Sequence, residues 1–164
     1  MPVRREPFPY LSYVNAEGNE IVLSEKGNHK LWACYGRKGF GALELRHVTQ
    51  QYSDGATDTT AMIPKPRKMT IEMFALGKST EERDDILRNL ITGLVQIGSR
   101  TNWGKLRLMR SDGMMIAINC VYTGGLDDLI EKYPNIQQFE LEFFSGNGYF
   151  YEDNNPSNTI LTGV

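Results

Sequence analysis

Hydrophobic positions change their spacing twice between residues 67 and 108. Met69, Ile71, Met73 and Ala75 alternate with Thr70, Glu72, Phe74 and Leu76, the period of two that predicts a strand. From Ser79 the period lengthens. Ile86, Leu87, Leu90, Ile91, Leu94 and Val95 recur at one, three and four, one apolar stripe on a helix spanning about residues 79–97. Alternation returns at Leu106 and Leu108. Ser79 suits an N-cap, with Glu82 three residues on completing a capping box. Glu81, Glu82, Asp84 and Asp85 place negative charge at the positive end of the helix dipole, and Gly98 offers a left-handed stop. Arg83, Arg88, Asn89, Thr92 and Gln96 fall between the apolar positions and are expected in solvent, while Ile91 is expected beneath the helix.

Elsewhere the patterning is that of strands and turns. A first hairpin is predicted over 11–24, turning at Ala16-Glu17-Gly18-Asn19. Residues 31–35 form a short apolar strand before the glycine-spaced loop 36–41. Over 42–50, Leu43, Leu45 and His47 alternate with Glu44, Arg46 and Val48, which predicts a sheet strand with His47 satisfied within it. Residues 51–60 are polar around the turn signal Ser53-Asp54-Gly55. Ser111-Asp112-Gly113 joins two apolar runs as a hairpin. Phe139, Leu141 and Phe143 alternate with Gln138, Glu140 and Glu142. Many strands with one helix predict a mainly β (α+β) fold, a β-sandwich or antiparallel sheet covered by one amphipathic helix. The polar, proline-punctuated run from Glu152 to Asn158 is expected to be a linker, so the division is 1–151 as the folded domain and 152–164 as linker or the start of a further one.

At 164 residues the chain can bury about 70% of its unfolded surface as one domain. A net charge of −2 and a pI near 5.7 give no general attraction to nucleic acid or anionic membrane. No apolar run reaches membrane-spanning length, and the opening Met-Pro-Val-Arg-Arg-Glu-Pro-Phe-Pro lacks the apolar core of a secretory signal. Cys34 and Cys120 lie far apart in apolar runs, the pattern of two buried thiols more than of a disulfide.

Catalytic and cofactor chemistry finds little purchase. His29 and His47 belong to no metal-ligand spacing, and no nucleophile elbow, phosphate-binding loop or dinucleotide fingerprint is present, so neither enzyme activity, cofactor nor metal is expected. Asp127, Asp128 and Glu131 read as a solvated loop or helical turn ending before Pro134. Lys65, Arg67 and Lys68 form a basic patch at a strand entrance, with Arg37 and Lys38 as possible neighbours; guarding a strand edge outweighs phosphate binding there. Trp32, Trp103, Tyr10, Tyr13, Tyr35 and Tyr52 could stack on sugars, although core or subunit contacts are the commoner use of aromatics.

The order of these features resembles the N-terminal domain of the distal tail protein of long-tailed phages and prophages. The resemblance runs over about residues 10–151: the Ser53-Asp54-Gly55 loop, the strand 67–76, the helix with Arg83, Leu87, Leu90 and Leu94, the Asp112-Gly113 hairpin, Phe139-Glu140-Leu141-Glu142-Phe143-Phe144, and Gly148-Tyr149-Phe150-Tyr151. It implies a non-catalytic virion protein of the tail tip, assembled in the host cytoplasm. Such a protein forms a hexameric hub joining the tail tube to baseplate, receptor-binding or cell-wall-degrading components. DNA would pass through the ring without being held. Ring closure needs two different faces on each subunit, and loops 37–41 and 51–66 are the expected contacts, with Arg37, Lys38, Phe40, Asp54, Lys65, Arg67 and Lys68 as candidate interface residues. A tail-tube or tail-terminator ring protein, and a monomeric carbohydrate-binding module using Trp32 or Trp103, are the alternatives.

Overall fold

A computed structural model describes residues 10–25, 27–28, 30–33, 38–95, 103–110, 112–126, 130–153 and 160–161. Strands β1 (Tyr10–Val14) and β2 (Glu20–Glu25) form the predicted first hairpin. On its other edge β1 pairs with β7 (Gly104–Met109), which pairs with β8 (Met115–Gly124) across the Asp112-Gly113 turn. Strand β8 has two neighbours on its far side. Its first half receives β11 (Phe150–Glu152), and its second half receives β10 (Ile136–Ser145). Strand β10 pairs along its whole length with β6 (Arg67–Leu76), and β3 (Leu31–Ala33) closes that edge. Strand β9 (Ile130–Tyr133) adds to the start of β10, and β12 (Ile160–Leu161) pairs back on β11. The register slips between Glu142 and Phe143, a bulge that adds local twist where β8 changes partner. The result is one curled antiparallel sheet, a half-barrel, in which the order runs β2-β1-β7-β8-β10-β6-β3.

Alternation puts one face of every long strand inside the curl. Met69, Ile71, Met73 and Ala75 of β6 meet Phe139, Leu141 and Phe143 of β10, with Leu106, Leu108, Ile116, Ile118 and Cys120 from the other half, all essentially inaccessible. Tyr13 and Tyr122 pack their rings on Phe143 at centroid distances of 5.1 and 5.8 Å. Each such leucine or phenylalanine contributes about 1.5–3 kcal/mol on leaving water. Cys120 is a buried, unoxidised thiol, whereas Cys34 lies outside the described residues.

Helix α1 (Thr80–Leu94) straps the open side of the curl. The Ser79 side chain accepts from the Glu82 N–H at 3.2 Å, and the Glu82 carboxylate accepts from the Lys78 N–H at 2.6 Å, one residue before the N-cap that the capping box predicts. The helix is shorter than the expected 79–97, ending in extended backbone at Val95; Gly98 lies outside the described residues. Leu87, Leu90 and Leu94 are buried as predicted, but Ile91 and Val95 are 38% and 44% exposed. The helix meets the sheet along one line against β6 and β2, so the covered stripe is narrower than the apolar one. Arg83, expected in solvent, is buried instead. Its guanidinium donates to the Pro134 carbonyl at 2.9 Å and to Asp84 at 2.8 and 3.0 Å, because the first turn rests on the β9–β10 turn, where Thr80 also donates to Pro134. At the other end Gly93 lies against Ile21 so closely that an added Cβ would come within 2.7 Å.

Two further expectations need correction. Glu131 lies in strand β9 and not in a helical turn, because the segment adds to the edge of β10; Asp127 and Asp128 lie outside the described residues. The strand read over 42–50 does form, as β4 (Leu45–Gln51), but it joins no core. Among the described residues it pairs only with β5 (Thr57–Pro64), and all seven of its residues, His47 included, are exposed.

Candidate functional site: a projecting arm and its root

Strands β4 and β5 form a two-stranded ribbon apart from the main sheet, turning at Ser53-Asp54-Gly55 as the sequence predicts. Asp54 stands at its tip, accepting from the Ala56 N–H at 2.9 Å, and Gly55 adopts φ +86°, where a Cβ would be strained. The polar run 51–60 is therefore half turn and half strand. Near the root the pairing Leu45↔Pro64 and His47↔Met62 puts these four side chains on one face, with Arg46, Ile63, Val48 and Ala61 on the other. Leu45 is 42% exposed and Met62 53%, with Tyr52 exposed near the tip. Apolar side chains at the root give way to threonine, glutamine and serine toward the tip.

The root is tightly fixed. Arg67 donates to the carbonyls of Gly39, Gly41 and Ala42 at 3.0, 2.9 and 3.3 Å, and its guanidinium lies 5.4 Å from the centroid of Phe150. Burial pulls its pKa below the usual arginine range, against the opposing charge of Glu44. Phe40 packs on Phe150 at 6.1 Å, and Lys38 exchanges backbone hydrogen bonds with Thr70. Gly39 and Gly148 take positive φ where any Cβ would overlap the carbonyl oxygens of Lys68 and Lys65, at 2.0 and 1.9 Å. A cleft of about 250 Å³ remains between Gly39, Gly41 and Glu44 on one side and Lys65, Arg67 and Lys68 on the other. Its cations are already paired: Lys65 with Glu44 at 3.3 Å, Lys68 with Glu142 at 2.9 Å, and Arg67 with the loop carbonyls.

Of the predicted interface residues, Lys38, Phe40, Lys65, Arg67 and Lys68 come together at this root, Asp54 sits at the far end of the arm, and Arg37 lies outside the described residues.

Two surface features had no strong signal in the sequence. On the outer face of the sheet Val121 pairs with Phe144, and extending the β7–β8 register by one residue sets Trp103 opposite Val121. The Trp103 and Phe144 rings lie 6.1 Å apart, and the three side chains are 47%, 37% and 39% exposed for Trp103, Val121 and Phe144. Near the other edge, Asp153 accepts from Lys105 at 2.7 Å and Arg107 at 2.5 Å, and Arg107 also meets Glu20 at 2.8 Å. Burial would raise the Asp153 pKa, but the two cationic donors outweigh it and hold the carboxyl below its usual range. Of the aromatics considered for sugar stacking, Tyr13 is core, Trp103 and Tyr52 are exposed, and the Trp32 side chain and Tyr35 lie outside the described set.

No protein-family model matches the sequence, and no curated protein matches it by sequence. Solved structures do share the fold. The baseplate of phage p2 in its activated conformation, solved with Sr and again with Ca, superposes with a TM-score of 0.60 at 12% identity over 82% of this chain. The Dit protein of phage SPP1, described as a paradigm of the hub adsorption apparatus in phages infecting Gram-positive bacteria, gives 0.55 at 10% identity over 87%. The matched region is 43% and 42% of the two p2 chains and 52% of the SPP1 chain, so this chain spans about half the length of these structures. The resemblance read from residue order is therefore met at the level of fold.

Proposed function

We propose that this chain is a non-enzymatic structural subunit of a phage or prophage tail tip, a distal-tail-type hub that closes a six-membered ring between the tail tube and the baseplate. The observation that carries the proposal is the arm. An isolated two-stranded ribbon is marginal in water, and this one exposes Leu45 and Met62 near its root and Tyr52 near its tip. Such a surface calls for a cover. A ring supplies one, since each subunit offers a face that a different face of its neighbour receives. The shared fold with a phage baseplate chain and a hub protein supports an assembly of that kind. On this reading the ring's partners are tube, receptor-binding or cell-wall-degrading components, the site is the virion tail tip, and assembly takes place in the host cytoplasm. DNA crosses the ring without specific binding, consistent with a net charge of −2.

Mass photometry and negative-stain imaging of the purified protein test this. Closed six-fold rings are expected, and replacing the arm between Glu44 and Lys65 by a short glycine-serine turn should leave folded monomers. Long stacked tubes would instead indicate a tube protein. A strict monomer at all concentrations would remove the hub reading.

A further inference from the structure

We infer that residues 148–153 are a strap across both legs of the arm, and that Asp153, at the strap's far end, is the positioning residue that holds it in place. The inference concerns the single chain and does not rest on the ring reading.

The arm leaves the body on two legs, residues 39–44 and 64–67, and the strap touches both. Gly148 lies so close to the second leg that a Cβ there would come within 1.9 Å of the Lys65 carbonyl oxygen. Two residues on, the buried ring of Phe150 packs on Phe40 of the first leg and faces the Arg67 guanidinium of the second. Arg67 in turn donates to three carbonyls of the first leg. Phe150 therefore backs the group that joins the legs.

The strap has little backbone pairing to hold it there. On β8 it is fixed by Tyr151↔Ala117 and Glu152↔Ile116, with the Asp153 N–H donating to the Met115 carbonyl, and β12 adds two residue pairs on its other edge. Strands this short are not stable by themselves. Side chains supply the rest. The Tyr151 hydroxyl donates to Asn119 at 2.9 Å. The Asp153 side chain is 5% exposed, with one carboxylate oxygen on Lys105 Nζ at 2.7 Å and the other on Arg107 Nε at 2.5 Å. Arg107 Nη1 continues to Glu20 at 2.8 Å, on the oxygen that also accepts from Tyr10 and Ser12. This network ties the strap's end to β7, β1 and β2, while its start bears on the entrance to β6, toward the opposite side of the sheet. Neutralising Asp153 would leave two part-buried cations without their shared counter-charge. The loss falls on the end of a three-residue strand that begins with the arm's backing ring.

Hydrogen exchange read by mass spectrometry, on protein diluted to the monomer, tests the strap. The root is closed by the amides of Lys38, Lys65 and Thr70. In Asp153→Asn, peptides covering 38–44 and 61–70 should exchange roughly tenfold faster or more, while 136–144 of β10 keeps its wild-type rate. Lys105→Gln leaves Asp153 held by Arg107, so it should give a smaller rise in the same peptides and serves if the first variant does not fold. Phe150→Leu should loosen the root by itself, and Asp153→Asn added to it should contribute less than it does alone. Leu90→Val, a core change on the helix, controls for general loss of stability and should not single out the root. Root peptides at wild-type rates in Asp153→Asn and Lys105→Gln would overturn the strap. So would full additivity with Phe150→Leu, or a root loosened selectively by Leu90→Val.

Discussion

Arg67 sits where a strand entrance, a glycine loop and an aromatic terminus meet, and its guanidinium donates to three backbone carbonyls of that loop. Replacing it with Met should destabilise the fold by about 1.5–3 kcal/mol, the range for losing hydrogen bonds from a charged donor. Lys should restore little, since one ammonium cannot span a guanidinium's fork. An unchanged melting temperature in both variants would show that the loop is held by other means. Burial pushes the Cys120 thiol up to about 12 and the Tyr13 phenol likewise to about 12, from ordinary values of 9.0 and 10.0. These groups keep their protons in the folded state while the unfolded chain loses them. Stability is therefore complete below about pH 9 and falls as pH rises toward 12. Chemical denaturation at pH 8 and at about pH 10.5 should show the loss, and Cys120→Ala should flatten it; an equal slope in that variant would contradict the assignment. The basic patch was legible in the sequence as charge, yet Arg67's role was not. Hydrogen bonds to carbonyls leave no mark in residue types, and the burial of Arg83 was hidden in part for the same reason, since beside Asp84 it donates to the backbone of Pro134.

The helix separates what its apolar stripe suggests from what the sheet covers. Leu90→Asp should unfold the chain, because an unpaired carboxylate would replace a side chain that is 2% exposed, at a cost of several kcal/mol. Ile91→Asp, one residue on and 38% exposed, should change the melting temperature little. Equal loss in both would mean that the helix lies differently on the sheet. Element type was readable wherever period and partner agreed: β6, β10, the Asp112-Gly113 hairpin and the helix N-cap all follow from local pattern. It was misread where pairing decided. The 42–50 alternation resembles a core strand, but among the described residues its partner is β5, whose polar residues from Thr57 read as loop. β9 is likewise a strand because β10 offers it an edge, a long-range fact that a charged stretch after two glycines does not announce.

At the scale of the molecule, β8 turns a row of hairpins into a half-barrel by pairing with β11 over one half and β10 over the other. That curl buries the inner face and leaves an outer face carrying the Trp103 row, with the arm standing apart from both. Among the described residues the inner face is covered, while the arm, the Trp103 row and the helix pair Ile91 and Val95 leave apolar side chains exposed. The fold class was legible because alternation and one clean helix leave few architectures. The arm's isolation was not, since exposure of both ribbon faces is a property of topology. The account's central claim is that identical neighbours cover what the monomer leaves open. The most direct measurement is the mass distribution of the purified protein, wild type beside the arm-replaced variant, across a range of concentrations. Six-membered rings for the first and folded monomers for the second are predicted; equal assembly of both, or a wild type that stays monomeric throughout, would contradict it.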